Sequence, residues 1–354
     1  MPDLNGQQVG PIGYGMMGLT WRPVPPSDEQ AFAALRKALE VGANFWNGGE
    51  IYGPPGRNSL NLLERYFAKY PEDADRVVLS VKGIVGEPCA GAANGPPDNS
   101  PAEVRRSIEA CLKDLGGRKK KIDIFEPARR DPKTPLAVTL RVMEEYVNKG
   151  LIGGIALSEV SAATIHEAVK ITKIVAVEVE LSMWSTDVLT NGVAAACAQY
   201  DIPLVAYAPL GRGVSHLPYL PRSIEKHIAD PRKMLTGQFK SPEDIPEGDV
   251  RKGHPRFQPE NFEINLQLVR QVQELAAKKG CTPAQLAIAW TRALSARSDM
   301  PVIIPIPGAT TAERVEENTR LLQLTDHELE EINGTLANFQ VRGTRYPAGV
   351  PVEG

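Results

Sequence analysis

The chain has 354 residues and a mass of 38.5 kDa, a length that suits one large α/β barrel or two ordinary domains. Hydrophobic residues make up 42% and charged residues 23% of the sequence, which is typical of a globular chain and excludes a disordered one. The net charge of −3, and apolar runs shorter than the ~18 residues of a membrane span, indicate neither a nucleic acid nor a membrane as partner.

Short β-rich runs alternate with helical patterns along the chain. The first strand is predicted at Val9–Gly15, and the next helix begins at Ser27, which has the capping-box spacing to Gln30. Later strands are predicted at Ala43–Asn47, Val77–Lys82, Ile122–Pro127, Gly153–Leu157, Val175–Glu180, Pro203–Tyr207 and Pro301–Ile306. Later helices are predicted at Leu60–Tyr70, Pro101–Leu115, Pro135–Lys149, Ala162–Lys170, Gly192–Tyr200, Ile264–Lys279, Pro283–Leu294 and Thr311–Leu321.

Eight strand–helix units predict a single (β/α)8 TIM barrel with long βα loops, in one domain over 1–354 and with a core at about 9–325. The strands are nearly all apolar, as strands buried on both faces are. Segments 83–100 and 212–262 are rich in Pro and Gly and predict long loops, the second of them lid-like. Residues 326–354 are left as a C-terminal tail.

Two short motifs have simple explanations. Gly13–Gly18 spells GxGxxG, but prolines at 23, 25 and 26 exclude the helix that a Rossmann dinucleotide site needs at this point. The basic run 118–121 predicts a solvated turn at the N-terminal face of the barrel, with nuclear import as the alternative. The scattered cysteines and the lack of a signal-peptide pattern lead us to expect a cytoplasmic protein, and no residue spacing indicates a metal.

Two strand ends carry side chains suited to proton transfer. Lys82 closes an apolar strand, where a buried lysine needs a partner or loses its charge. Tyr52 follows another strand, and a nearby lysine would lower the pKa of its phenol and make it a better general acid. The alternative is a lysine that reaches solvent and a tyrosine that only packs.

The last strand–helix unit has the pattern of a phosphate site. A turn with Gly308 leads into a helix, and Thr310 with Glu313 has capping-box spacing. Arg314, one turn into the helix, can bind a phosphate with two parallel hydrogen bonds. The alternative is a surface arginine paired with Glu317 or Asn318.

Several motifs together resemble the aldo-keto reductase family, closest to its fungal pyridoxal reductase-like branch. They occur in the family's order over roughly residues 9–325. They are FWNGGEIYG, LSVKG, IDIFEPARRD, GIALSEV, VEVELSMWS, AYAPLGRG and IPIPGATTAERVEEN.

The resemblance implies that a carbonyl substrate is reduced to an alcohol by hydride from NADPH, with Tyr52 as general acid assisted by Lys82 and Asn47. Pyridoxal, reduced to pyridoxine, is the favoured substrate. A bulkier secondary-metabolite carbonyl is one alternative, and an NADPH-binding redox sensor with little turnover is another. We expect a monomer or weak oligomer.

The resemblance also assigns residues to ligands. The substrate is expected at Trp21, Ala128 and Arg129. The cofactor is expected at Gly15, Met16, Met17, Ser158, Glu178, Tyr207, Ala208, Leu210, Gly211, Arg212, Gly213, Gly308, Thr310, Arg314, Glu317 and Asn318. Arg314 near the 2′-phosphate would favour NADPH over NADH.

The sequence departs from the family pattern at several site positions. Asn47 replaces the usual aspartate and Ala128 the usual histidine. Asn47 can still hydrogen-bond Lys82, but because it brings no charge, we expect Lys82 to lack a counter-ion and its pKa to fall. Glu126, Arg129 or a water could supply the missing proton donor. Glu159 and Glu178 stand where Asn and Gln are common, and 214–233 is an additional stretch in the long loop.

Overall fold

The structure, a computed structural model, describes residues 1–86, 96–211, 241–245, 249–347 and 352–353. A short antiparallel hairpin, β1 (Asp3–Leu4) and β2 (Gln7–Gln8), comes first. Eight parallel strands then pair in sequence order to form one curled sheet. They are β3 (Tyr14–Gly15), β4 (Phe45–Gly49), β5 (Val78–Gly83), β6 (Ile124–Pro127), β7 (Ile155–Ser158), β8 (Ile174–Glu180), β9 (Leu204–Tyr207) and β10 (Ile303–Pro305).

The helices lie outside this sheet. They are α1 (Met17–Thr20), α2 (Asp28–Glu40), α3 (Ser59–Lys69), α4 (Pro101–Asp114), α5 (Leu136–Asn148), α6 (Ala162–Ala168), α7 (Val193–Gln199), α8 (Pro259–Lys279), α9 (Pro283–Ala293), α10 (Ala312–Thr319) and α11 (Asp326–Ala337). The predicted (β/α)8 barrel is therefore confirmed. The ends of the predicted strands and helices lie within five residues of the observed ends. Within the described ranges, no helix is long and apolar enough to cross a membrane.

Glycines of the GxGxxG motif allow the barrel to close between its first and last strands. The Gly13 amide donates to the Pro305 carbonyl at 2.9 Å, and Gly15 bridges Gly308. A Cβ on Gly15 would lie 2.8 Å from the Ile306 carbonyl oxygen, too close for any other residue. The helix α1 is a single turn that begins at Met17, inside the motif, and ends before the prolines, so the longer helix that a Rossmann site needs does not follow the motif, as predicted.

The N-terminal hairpin, which sequence analysis missed, closes the bottom of the barrel. Leu4, just before its turn, and Val9, just after β2, are fully buried among the inward-facing side chains of the strands. Asn5 donates to the Gly153 carbonyl at 2.8 Å, which joins the hairpin to the lower end of the barrel. The predicted strand Val9–Gly15 is correspondingly reduced to Tyr14–Gly15.

Two predicted capping boxes are wrong. Ser27 does cap α2, but the Gln30 side chain donates to the Thr310 carbonyl at 2.9 Å and so links α2 to the last βα turn. Thr311, not Thr310, caps α10 by accepting from the Arg314 amide.

The described parts of the two long loops and of the C-terminal tail contain structure that the sequence analysis did not predict. Residues 87–95, 212–240 and 246–248 lie outside the described residues, and with them the additional stretch 214–233. The described part of the predicted lid contains short 3-10 turns, and α8 begins at Pro259, within it. The predicted tail contains α11, which begins with a capping box of Thr325 and Glu328 that the sequence analysis overlooked.

One residue of the basic run 118–121 is buried instead of solvated. The Lys119 ammonium lies 3.0 Å from the Asp123 carboxylate and donates to the carbonyls of Ala74 and Val77, both at 2.9 Å. The Asp123 carboxylate also accepts from the Leu79 amide. Lys119 therefore ties the loop before β5 to the start of β6, while Lys120 is exposed.

We expect Lys119→Ala to lower the free energy of unfolding by about 3–5 kcal/mol, because it removes the close, buried cation of the Asp123 carboxylate and leaves only the half-exposed Lys121 at 3.8 Å. Lys120→Ala, one residue away, should change it by no more than about 0.5 kcal/mol. Urea unfolding of both variants measures the difference. Equal effects of the two substitutions would contradict a structural role for Lys119.

Candidate functional site

Three charged side chains from three strands meet inside the upper part of the barrel. Lys82 on β5, Glu126 on β6 and Glu178 on β8 are 4%, 1% and 2% exposed. Lys82 and Glu126 are direct neighbours in the parallel pairing of β5 and β6, so their side chains leave the sheet on the same face. We call these three residues the charge cluster.

Glu178 is the close partner of Lys82. Its Oε1 lies 2.5 Å from the Lys82 Nζ, and its Oε2 accepts from the Asn47 Nδ2 at 2.6 Å. The expectation that Lys82 lacks a counter-ion is therefore wrong. Asn47 donates to Glu178, and the bond expected from it to Lys82 is not seen. Both oxygens of the Glu178 carboxylate are engaged within the protein.

Lys82 stays charged in this setting. Burial alone would lower the pKa of Lys82, but the Glu178 carboxylate, the Tyr52 oxygen and Glu126 outweigh burial and raise it above its ordinary value. The expected fall in the pKa of Lys82 is thus reversed in sign. The Lys82 ammonium also lies 5.3 Å from the centre of the Tyr207 ring, within range of a cation–π contact.

Glu126 is the third and least satisfied member of the charge cluster. Its Oε1 lies 3.7 Å from the Lys82 Nζ and has no hydrogen-bond partner among the described residues. Burial, and next the neighbouring Glu178 carboxylate, raise the pKa of Glu126 well above the ordinary value, despite the opposing attraction of Lys82. Both effects favour the protonated, uncharged form of the Glu126 carboxyl.

Tyr52 lies just beyond β4, against the strand and beside Trp21. A Cβ on Gly49 would be 3.0 Å from the Tyr52 ring, so the ring packs directly on strand backbone. The Trp21 and Tyr52 rings stack with centres 6.0 Å apart, and the Thr20 hydroxyl donates to the Tyr52 carbonyl. Burial raises the pKa of Tyr52 to about 12, although Lys82 pulls it down. The expected net lowering of this pKa is wrong.

Strained backbone marks the upper rim of the barrel. The residue directly after each of β5, β7 and β9 has a left-handed φ. These residues are Ile84, Glu159 and Ala208, with φ angles of 55°, 54° and 49°. This conformation is costly for a residue with a Cβ and most of all for a β-branched one. Such strain persists where surrounding contacts fix the backbone, as at many functional sites.

The side chains expected near the nicotinamide differ in whether they already form hydrogen bonds within the protein. The Ser158 hydroxyl is buried and has no partner among the described residues, so it can bond a ligand. The Glu159 carboxylate accepts from the Glu180 amide at 2.8 Å, the Tyr207 hydroxyl at 2.9 Å and the Arg345 guanidinium at 3.0 Å.

Residues 342–347 and 352–353, which we call the C-terminal strap, cross this rim. Arg345 pairs with Glu159, and the Tyr346 hydroxyl lies 2.5 Å from that of Tyr207. Glu353 accepts from the Thr164 hydroxyl at 2.6 Å. Sequence analysis missed the strap, since it has no periodic pattern. It also missed Glu180, although a second carboxylate two residues from Glu178 on an apolar strand was a usable signal.

The expected substrate positions lie on the same rim. Ala128 is buried just after β6, and its amide donates to the Gly83 carbonyl at 2.7 Å. The Arg129 guanidinium donates to the Ala128 carbonyl at 2.6 Å and to the Tyr346 hydroxyl at 3.1 Å. Trp21 stacks on Tyr52, and Arg129 lies near enough to oppose the rise in the pKa of Tyr52. The roles of Ala128, Arg129 and Trp21 in substrate binding stay predictions.

The expected adenosine end lies beside the barrel seam. Gly308 bridges Gly15, and the Asn318 amide donates weakly to the Gly308 carbonyl at 3.5 Å. Arg314 lies 3.4 Å from Glu317, as in the alternative for this arginine, and is partly exposed. Met16 and Met17 follow β3, and Ala208, Leu210 and Gly211 form the turn after β9, whereas Arg212 and Gly213 lie outside the described residues.

Comparisons with known proteins agree with this architecture. The model of the aldo/keto reductase family matches residues 11–337. "Probable pyridoxal reductase 2" of Schizosaccharomyces pombe is 40% identical and aligns over 98% of this chain and 97% of its own length. The aldo-keto reductase yakc of the same yeast, whose name specifies NADP(+), is 34% identical, with 98% and 94% covered.

The likeness extends to a solved structure. The glycerol dehydrogenase of Gluconobacter oxydans superposes with a TM-score of 0.75 over 95% of this chain and 94% of its own, at 21% identity. At that identity the match supports the barrel fold alone.

The buried acid predicts a pH dependence of stability. Between the ordinary glutamate pKa of about 4.5 and the raised pKa of Glu126, the folded protein holds a proton that the unfolded chain has released. Stability should therefore fall as the pH rises through this window, by up to about 1.4 kcal/mol per pH unit. Urea unfolding of the wild type and Glu126→Gln between about pH 5 and pH 8 isolates this contribution. A stability difference independent of pH would contradict a protonated Glu126.

Proposed function

The chain belongs to the aldo/keto reductase family, a family of oxidoreductases that use nicotinamide cofactors, and from this premise we propose that it reduces pyridoxal to pyridoxine with NADPH. The observation that carries the proposal is a buried, charged Lys82 that acts on the phenol of Tyr52 at the C-terminal face of the barrel. The name of the 40% identical relative supports pyridoxal, and the NADP(+) in the name of another supports NADPH.

The residues present fit a nicotinamide cofactor. The buried Ser158 hydroxyl, without a partner among the described residues, suits the carboxamide, and Tyr207 offers its ring to the nicotinamide. Arg314, at the start of α10, is placed for the 2′-phosphate and would exchange its weak 3.4 Å contact with Glu317 for a phosphate. When bound, the cofactor supplies a hydride from C4 of its dihydronicotinamide.

Tyr52 completes the reduction by donating its phenolic proton to the carbonyl oxygen as the hydride arrives. A pKa of about 12 keeps this proton on Tyr52 at neutral pH. The transfer remains favourable because the developing alkoxide is a much stronger base than a phenolate. The Lys82 ammonium then stabilises the phenolate, a charge interaction that is strong because both groups are buried.

The counter-ion of Lys82 has moved within the site relative to the family pattern. The family's usual Asp and Gln are here Asn47 and Glu178, so the carboxylate and the amide have exchanged positions. In the structure these two side chains bond each other, and Glu178 also binds Lys82. The exchange keeps one negative charge beside Lys82, and we assign Glu178 the role that aspartate usually has.

The side chains around Tyr52 suit an aromatic aldehyde as substrate. Ala128 leaves space where the family has the larger histidine ring, and Trp21 provides an aromatic face beside Tyr52. The Arg129 guanidinium at the rim can pair with the ionised 3-hydroxyl of pyridoxal.

We expect purified protein to oxidise NADPH in the presence of pyridoxal, and Tyr52→Phe to lose at least about a hundredfold in kcat, because the variant lacks the proposed proton donor. Absorbance at the NADPH band measures both, with NADH compared at equal concentration. A higher kcat/KM for a bulky aryl ketone than for pyridoxal would reassign the substrate. Binding of NADPH without any turnover would favour the redox-sensor alternative.

The exchanged charge gives a second test. Glu178→Gln should lower kcat/KM by about tenfold or more, because Lys82 loses its close carboxylate. Asn47→Asp combined with Glu178→Gln restores the family's usual arrangement and should recover most of that loss, a non-additive effect expected of contacting residues. If the double variant is no better than Glu178→Gln alone, Glu178 is not the transposed counter-ion.

A further inference from the structure

The charge cluster contains one carboxyl group more than Lys82 needs. Glu178 satisfies the ammonium at 2.5 Å, whereas Glu126 stands 3.7 Å away on the neighbouring strand. Two carboxylates and one ammonium, all nearly fully buried, would leave a net negative charge in a low-dielectric interior. Protonation of one of the two carboxylates removes this net charge at little cost. Charge balance and distance both place that proton on Glu126.

Titratable side chains from other elements lie around Glu126, and the carboxylate among them, Glu178, is already held by Lys82 and Asn47. Lys82 faces it from β5 and Glu178 from β8, and Tyr52 beyond β4 and Tyr207 at the end of β9 lie across Lys82. Its neighbour β7 contributes Ser158, which does not titrate. Just after its own strand, Arg129 donates to the Tyr346 hydroxyl, and Ala128 stands at the family's histidine position.

We propose that Glu126 holds a proton in reserve for the site, as its proton store, and that this proton reprotonates the Tyr52 phenolate by way of Lys82. The proposal rests on the reductase function above, and Glu126 acts only through Lys82. It answers how a site with Ala128 in place of histidine restores its general acid.

The transfer balances step by step. The carbonyl carbon gains hydride and is reduced, the nicotinamide is oxidised, and the carbonyl oxygen takes the Tyr52 proton. An N–H bond of Lys82 then breaks, and its proton re-forms the phenol. The O–H bond of Glu126 breaks next, and its proton re-forms the ammonium once the two groups, 3.7 Å apart at rest, approach to hydrogen-bond distance. Glu126, now a carboxylate, takes a proton from water when the product leaves.

Glu126→Gln tests the store sharply, because glutamine has the shape and hydrogen bonds of the neutral acid but no proton to release. Rapid mixing of the NADPH-loaded variant with pyridoxal should show a first turnover close to the wild-type rate, since Tyr52 still carries its proton. Later turnovers should be slower by at least about tenfold, which gives a burst of one oxidised cofactor per site. Glu126→Asp should restore part of the later rate.

Two further measurements separate the store from other roles. Glu103→Gln, which removes a buried carboxylate on α4 paired with Arg106 outside the barrel, should show no burst. Infrared spectra at neutral pH should contain a protonated-carboxyl band that Glu126→Gln lacks and Glu178→Gln retains or shifts.

The outcomes distinguish the proposals. Steady-state turnover of Glu126→Gln equal to the wild type, a first turnover as slow as the later ones, or loss of the infrared band only in Glu178→Gln would each overturn the store at Glu126. Absence of wild-type turnover with pyridoxal and with simple aldehydes overturns the reductase and with it the refilling path. The infrared band tests the stored proton independently of activity.

Discussion

The ion pair between Lys82 and Glu178 determines the arrangement of the candidate site. A lysine inside a barrel retains its charge only if a carboxylate accompanies it, and Glu178 fulfils this condition from the opposite wall. Once this pair is fixed, Asn47 is held by the second oxygen of Glu178, and Glu126 is left 3.7 Å from the ammonium, as the carboxyl group without a close cation. The Tyr52 phenol responds to the same ammonium.

The closed barrel is what makes this pair possible. Its strands pair in sequence order, so β5 and β8 face each other across an interior only wide enough for side chains. The lower interior is filled by apolar residues from strands β4 to β10 together with Leu4 and Val9. The charged groups are therefore confined to the upper end, near the loops and the strained residues Ile84, Glu159 and Ala208.

Much of the fold could be predicted from the sequence, because periodicity and apolar strands are local signals. The hairpin at the N-terminus and the strap could not, since their positions depend on contacts with residues more than a hundred positions away, such as Asn5 with Gly153. The same division applies to the site. Tyr52 and Lys82 were identified at strand ends, whereas the partner of Lys82 depends on which wall of the barrel faces it. The signs of both pKa shifts followed from that unseen partner and from burial.

The C-terminal strap also has a consequence for biosynthesis. Arg345 and Tyr346 lie on Glu159 and Tyr207, yet they are translated after every strand of the barrel. The hairpin that closes the lower end is, by contrast, translated before every strand of the barrel. A nascent chain can therefore assemble its barrel with the lower end sealed and the upper end open to solvent, and its site acquires its final cover only when synthesis reaches the strap.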